Sequence, residues 1–148
     1  METILVFPTD VTQAVIQTEK PMPSSQQEPA GDLLLRTLAM PADTNPHGDI
    51  FGGWIMSQMD IGGAILAKEI AAERVVTVAV EGMTFHRPVK VGHVVCCHGK
   101  CIRIGTTSMT IKLEVWVKPV LSETPDERYC VTEGLFTYVA IDQQGRPK

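Results

Sequence analysis

Between Ser108 and Lys118 hydrophobic and polar positions alternate. Met109, Ile111, Leu113, Val115 and Val117 fall on one face, and Thr110, Lys112, Glu114 and Trp116 on the other. A period of two predicts a strand whose two faces are dressed differently. The same β-branched and aromatic vocabulary recurs in VVTVAV (75–80), MTFHRPV (83–89), VVCCHGKCIRI (94–104) and YCVTEGLFTYVAI (129–141), with short turns such as RIGTTS (103–108) between runs. Upstream the period changes. Ile55, Met59, Leu66 and Ile70 recur near helical spacing and predict one long helix over roughly 53–72. A short apolar run, LLLRTLAM (33–40), precedes it, separated by the turn-rich PADTNPHGD (41–49). One strand, one helix and then a run of strands predict an α+β fold, with an antiparallel sheet of about five to six strands packed on the helix. A single helix leaves much of such a sheet bare, so the remaining apolar surface is expected to be buried in a homo-oligomer.

Composition narrows the picture. The stretch EKPMPSSQQEPAG (19–31) is too polar and proline-rich to bury a core, so residues 1–30 are expected to form a flexible extension and 31–148 the folded domain. The opening METILVFPTD lacks a signal peptide's basic start, and no run approaches the roughly 18 to 20 apolar residues of a membrane span, so a cytoplasmic protein is expected. Seventeen acidic against thirteen basic residues give a formal charge of -4, which argues against nucleic acid or an anionic membrane as partner. Of the four cysteines, Cys96 and Cys97 are adjacent in a strand and face opposite sides. Cys97 and Cys101 share a face about 13 Å apart, too far for a disulfide. With no C-x-x-C pair, the thiols are read as small apolar fillers and no metal is expected.

Candidate chemistry concentrates in HGDIFGGWIMSQMDIGGAI (47–65). Gly62 and Gly63 fall inside the helix, where each costs about 1 kcal/mol relative to Ala. Close packing on the sheet is the plain explanation for both. Asp60 is harder to explain that way: its helical neighbours Met56, Ser57, Gly63 and Ala64 make a small, mostly apolar face. A carboxylate sheltered from competing water suits a general base or a nucleophile. Gly48, Gly52 and Gly53 let the chain turn tightly and bring backbone N–H groups to a ligand where a helix begins. Such donors stabilise an oxygen that becomes negative during attack on a carbonyl. Asn45, just before the turn, has an amide able to orient a carbonyl or a water, although an Asx-turn is the commoner use of a loop asparagine. The glycine spacing is neither a P-loop nor a dinucleotide fingerprint, no G-x-S-x-G elbow occurs, and His47, His86, His93 and His98 have no metal-ligand spacing.

The stretches LLLRTLAMPADTNPHGDIFGGWIMSQMDIGGAILAKEI, VVTVAVEGMTFHRPVKVGHVVCC and GTTSMTIKLEVWVK closely resemble the YciA-type bacterial acyl-CoA thioesterases of the hotdog-fold superfamily, over about Leu33 to Pro147. The combination N-x-x-G-x-x-F-G-G-W with M-D-x-G-G-A is specific. The resemblance implies a long helix wrapped by an antiparallel sheet, paired into dimers that commonly gather as a hexamer. It implies hydrolysis of acyl-CoA to a free acid and coenzyme A, with broad acyl specificity and no cofactor, coenzyme A being part of the substrate and a product. It makes Asp60 the catalytic carboxylate, places Asn45 in the same active site from across the dimer interface, and gives the oxyanion-holding N–H to the turn at Gly53. Arg87, Arg103, the turn Gly105, Thr106, Thr107 and Ser108, and Lys118 resemble the family's surface for the CoA phosphates.

Two other functions stay in view. Hotdog domains also host 3-hydroxyacyl thioester dehydratases, which need a histidine beside the carboxylate, and this helix has none. A non-catalytic acyl-CoA sensor would bind in the same cleft without hydrolysis. The sequence also departs from the resembling proteins at His93, where they usually carry Asp in V-G-D, which leaves the hydrogen bonding of that turn open.

Overall fold

The computed structural model describes residues 28–119 and 127–148. The expected extension 1–30 lies almost wholly outside the described residues. Strand β1 (Asp32–Leu38) and a single 3-10 turn (Pro41–Asp43) lead into helix α1 (Gly52–Ala71), followed by β2 (Arg74–Phe85), β3 (Val94–Ile104), β4 (Ser108–Lys118) and β5 (Tyr129–Ile141). The strands form one sheet in the order β1-β3-β4-β5-β2, antiparallel throughout. This is the hotdog arrangement, a long helix held in an antiparallel sheet.

The alternation of β4 becomes the core. Met109, Ile111, Leu113, Val115 and Val117 are buried beneath α1, whose Ile55, Met59 and Ala67 point at them. Met59 is fully buried and so fills the core. The helix lies close because Gly62 abuts Cys97: a methyl group there would stand 3.1 Å from the thiol sulfur. Burial pushes the thiols of Cys97 and Cys130 up to about 12, so both stay protonated fillers, and all four cysteines are free. The opposite face of β4 is also covered. Thr110, Glu114 and Trp116 are buried there, with Trp116 Nε1 and the Ala30 N–H both donating to Glu114 Oε1 at 2.9 and 3.1 Å.

Two sequence runs merge in β2. The segments 75–80 and 83–89 were expected as separate strands, but pairing with β5 continues from Arg74 to Phe85 across two register shifts. Gly82, at φ 71°, supplies the irregular backbone that lets the ladder resume instead of turning. His86 to Val89 then leave the sheet.

His93 answers the question its sequence raised. Its Nδ1 accepts the Lys90 N–H at 3.1 Å, closing the turn as a carboxylate oxygen would, while its ring packs edge-on against Tyr129. Burial, and then the Lys90 charge, hold the imidazole below its ordinary value of 6.5. As pH falls, the unfolded chain therefore takes this proton first. The stability contributed by neutral His93 is complete above about pH 6.5 and is lost as pH drops through the lower folded value. The urea midpoint is expected to fall between pH 7.5 and 5.5, and less so in His93→Asn, whose amide oxygen accepts the same N–H at either pH. An identical loss in both proteins would assign the effect to other groups.

Candidate active site

Asp60 sits two turns into α1 and is partly exposed. Its Oδ1 accepts two hydroxyl hydrogen bonds, from Thr77 Oγ1 at 2.6 Å and from Tyr138 at 3.1 Å. The Tyr138 hydroxyl also lies 3.0 Å from the Asp60 main-chain oxygen. Thr77 comes from β2 and Tyr138 from β5, directly opposite each other in the ladder. Tyr138 is fully buried, and burial together with the Asp60 charge pushes its phenol above its ordinary value, so it remains a donor. Neither residue was singled out from sequence. Thr77 and Tyr138 are 17 and 78 positions from Asp60, and only the sheet brings them there.

Gly63 belongs to the same cluster. A methyl group at this position would stand 2.3 Å from the Tyr138 hydroxyl and 2.9 Å from Leu113 Cδ1. The helix accepts a glycine so that the hydroxyl reaches the carboxylate.

The start of α1 is built differently. Asn45 Oδ1 accepts from the N–H groups of His47 (2.9 Å) and Asp49 (3.1 Å), which makes it the organiser of the loop before the helix. Among the described residues no acceptor is recorded for its amide nitrogen. The helix begins after Phe51 with no side-chain cap. The first helical N–H groups taken up within the turn are those of Trp54 and Ile55, both bonded to the Phe51 oxygen. Gly53 is exposed in the first turn of the helix, where N–H groups lack intrahelical acceptors and the dipole is positive, and a methyl group there would meet nothing within 4 Å among the described residues. Gly53 and Asp60 are about 10 Å apart along the helix axis.

The residues expected to hold phosphates divide into two groups. Gly105 to Ser108 form the β3–β4 turn, closed by the Gly105 N–H donating to the Ser108 oxygen at 2.7 Å, and line a cavity of about 250 Å³ with Ile70 and Lys148. Arg103 is exposed two residues before the turn. Lys118 is exposed at the other end of β4, about 33 Å away along the strand. Arg87 lies toward that end, its guanidinium 4.8 Å from the centre of the Tyr129 ring, with Tyr129 paired to Val117. One phosphate cannot touch both groups within a single chain. Among the described residues, no cluster of three His, Cys, Asp or Glu side chains is placed to hold a metal ion.

Asp60 borders uncovered apolar surface. Ile61 and Ile65 of α1 and Val76, Val78 and Val80 of the edge strand β2 are all exposed. A carboxylate beside a bare sheet edge, with an uncapped helix start two turns away, has the parts for attack on a carbonyl. The sequence profile describing the thioesterase superfamily matches residues 47–122, a span that includes Gly53, Asp60 and Thr77. The chain belongs to the thioesterase superfamily.

Within that superfamily, the acyl-CoA thioester hydrolase YciA of Escherichia coli is 67% identical over 127 residues, covering 86% of this chain and 96% of the relative. A solved hexameric broad-specificity acyl-coenzyme A thioesterase is 64% identical, with a TM-score of 0.79 and coverage of 84% of each chain. An acyl-CoA hydrolase from Staphylococcus aureus, solved with an aspartate replaced by alanine, is 28% identical, with a TM-score of 0.69 over 77% of this chain and 68% of that one. The same hydrolase has been solved with an asparagine replaced by alanine in complex with coenzyme A. Among the described residues of this thioesterase, no helix is long and apolar enough to cross a membrane.

Proposed function

We propose that this thioesterase hydrolyses acyl-CoA, taking one thioester and one water to a free carboxylic acid and coenzyme A. The observation that carries the reading is the half-buried Asp60, held on a helix beside an open sheet edge. In this reading its free oxygen either removes a proton from water or attacks the thioester carbon itself. The Gly53 N–H, backed by the helix dipole, holds the oxygen that becomes negative, and the Asn45 amide nitrogen orients the carbonyl or the water. The two residues replaced in the Staphylococcus aureus hydrolase, an asparagine and an aspartate, are 15 positions apart, the separation of Asn45 and Asp60 here. That match supports the pairing of the two residues in one site.

The oligomer completes the reading. The exposed apolar side chains on α1 and β2 support a dimer formed across that edge, and the hexameric relative supports a trimer of such dimers. In this reading a second chain against β2 would bring its Asn45 and Gly53 to Asp60, and would bring together phosphate-binding groups that one chain holds apart. Met56 and Met83, both partly buried, would give an adaptable wall to the acyl tunnel. The reaction as written consumes only water and needs no cofactor. Four free cysteines support a reducing, cytoplasmic setting.

Hydrolysis fits the site better than dehydration, because the partners of Asp60 within the chain are a threonine and a tyrosine. The test is release of free thiol from short, medium and long acyl-CoA. Turnover of all three is expected. Turnover of only one would overturn broad specificity, and tight binding of coenzyme A with no thiol released from any would establish the sensor instead.

A further inference from the structure

The two hydroxyls at Asp60 converge on one oxygen. Thr77 and Tyr138 both bond Oδ1, and among the described residues no donor is recorded on Oδ2. We propose that Thr77 and Tyr138 are positioning residues that load Oδ1 so that Oδ2 is the atom presented to the thioester or its attacking water. The proposal rests on the reading of Asp60 given above.

Three features support a device for aiming the carboxylate. The first is its span: the group is tied at once to its own helix, to β5 through Tyr138 and to the edge strand β2 through Thr77. The Tyr138 ring is fully buried and stacked on Phe136 at 6.5 Å, so it does not follow the carboxylate if that group rotates. The second is the backbone beside Thr77. The β2–β5 register shifts between Thr77 and Ala79, and an irregularity of this kind re-aims a side chain relative to a regular ladder. The third is Gly63, a helix glycine whose missing methyl group is what admits the phenol oxygen to the carboxylate. The same methyl would stand 2.9 Å from the ring carbon Cζ and from Leu113 Cδ1, so the glycine admits the end of the tyrosine ring together with its hydroxyl.

With both donors on Oδ1, rotation of the carboxylate is restricted and the lone pairs of Oδ2 stay available. Loss of either donor lets the group swing or lets Oδ1 compete for the substrate's water, and small misplacements of a reacting group cost about 100-fold in rate.

The experiment measures kcat and KM by thiol release from butyryl-CoA for the intact protein, Thr77→Val, Thr77→Ser, Tyr138→Phe and Asp60→Asn, with oligomer size and urea midpoint beside them. Thr77→Val and Tyr138→Phe are each expected to lower kcat by about 10- to 100-fold with KM changed by less than about twofold. Thr77→Ser, which restores the hydroxyl, is expected to recover kcat to within about threefold. Unchanged kcat in Thr77→Val, or a raised KM with kcat intact, or failure of Thr77→Ser to recover what Thr77→Val loses, would overturn the inference while collapse of Asp60→Asn keeps the Asp60 reading standing. Full activity in Asp60→Asn would overturn that reading itself. If Tyr138→Phe does not fold, the valine and serine pair at Thr77 decides.

Discussion

Asp60→Asn is expected to lower kcat for acyl-CoA hydrolysis by about a thousandfold or more while leaving the fold and the oligomer intact. The asparagine side chain has the shape of the aspartate and keeps one carbonyl oxygen. That oxygen takes the place of Oδ1 and still accepts from Thr77 and Tyr138. The amide nitrogen then occupies the position of Oδ2, where it neither takes a proton from water nor attacks a carbonyl carbon. On the proposed roles, the substitution separates the structural half of the carboxylate from the half that reacts. Thiol release, size-exclusion elution and the urea midpoint check this together: activity collapses, and the other two stay near those of the intact protein. Equal activity in both proteins would mean that the chemistry belongs to another group.

Gly63→Ala is expected to damage stability and activity at once. An alanine is the better helix former by about 1 kcal/mol, and at an exposed position that gain would decide the outcome. Here the new methyl group stands 2.3 Å from the Tyr138 hydroxyl and 2.9 Å from Leu113 Cδ1, both on fully buried side chains. Overpacking of this kind costs about 1 to 3 kcal/mol. The tyrosine cannot swing aside without leaving the carboxylate, so the strain and the loss of Asp60 alignment have one cause. A net loss of about 1 kcal/mol, and at most about 2 kcal/mol, in urea unfolding is expected, with kcat reduced alongside it. Combining it with Tyr138→Phe, which removes the nearest clashing atom, is expected to recover part of the stability without recovering kcat. Two independent, additive losses would contradict the shared cause.

Much of the architecture was legible because each element carries its own period. The helix begins and ends within one residue of the span predicted from Ile55, Met59, Leu66 and Ile70, and the alternation of β4 sorts its inward residues correctly. The continuity of β2 was hidden because Gly82 reads locally as a break, and whether a glycine turns the chain or bulges it depends on the neighbouring strand. Burial of Glu114 and Trp116 was equally hidden: a polar–apolar alternation reports chemistry, while the cover on that face comes from residues distant in sequence, such as Ala30. Within the candidate site, Asp60 stood out because a lone carboxylate on a small apolar helix face is a local anomaly. Its partners did not. Thr77 is an ordinary strand threonine and Tyr138 an ordinary strand aromatic until sheet order sets them opposite each other. The distance between Lys118 and the turn at Gly105 follows from the strand that alternation predicts over 108–118, and only the resemblance gathers these groups into one surface.

Thr77 belongs to β2, the last strand at one margin of the sheet. A hydroxyl anchored in the middle of a sheet would be insulated by strands on either side. One anchored at the rim feels whatever lies along that rim. On the proposal that Thr77 aims Asp60, neighbouring rim residues such as Val76 and Val78 would act on the carboxylate's orientation through the strand that carries them, and the catalytic geometry would answer to the state of that border.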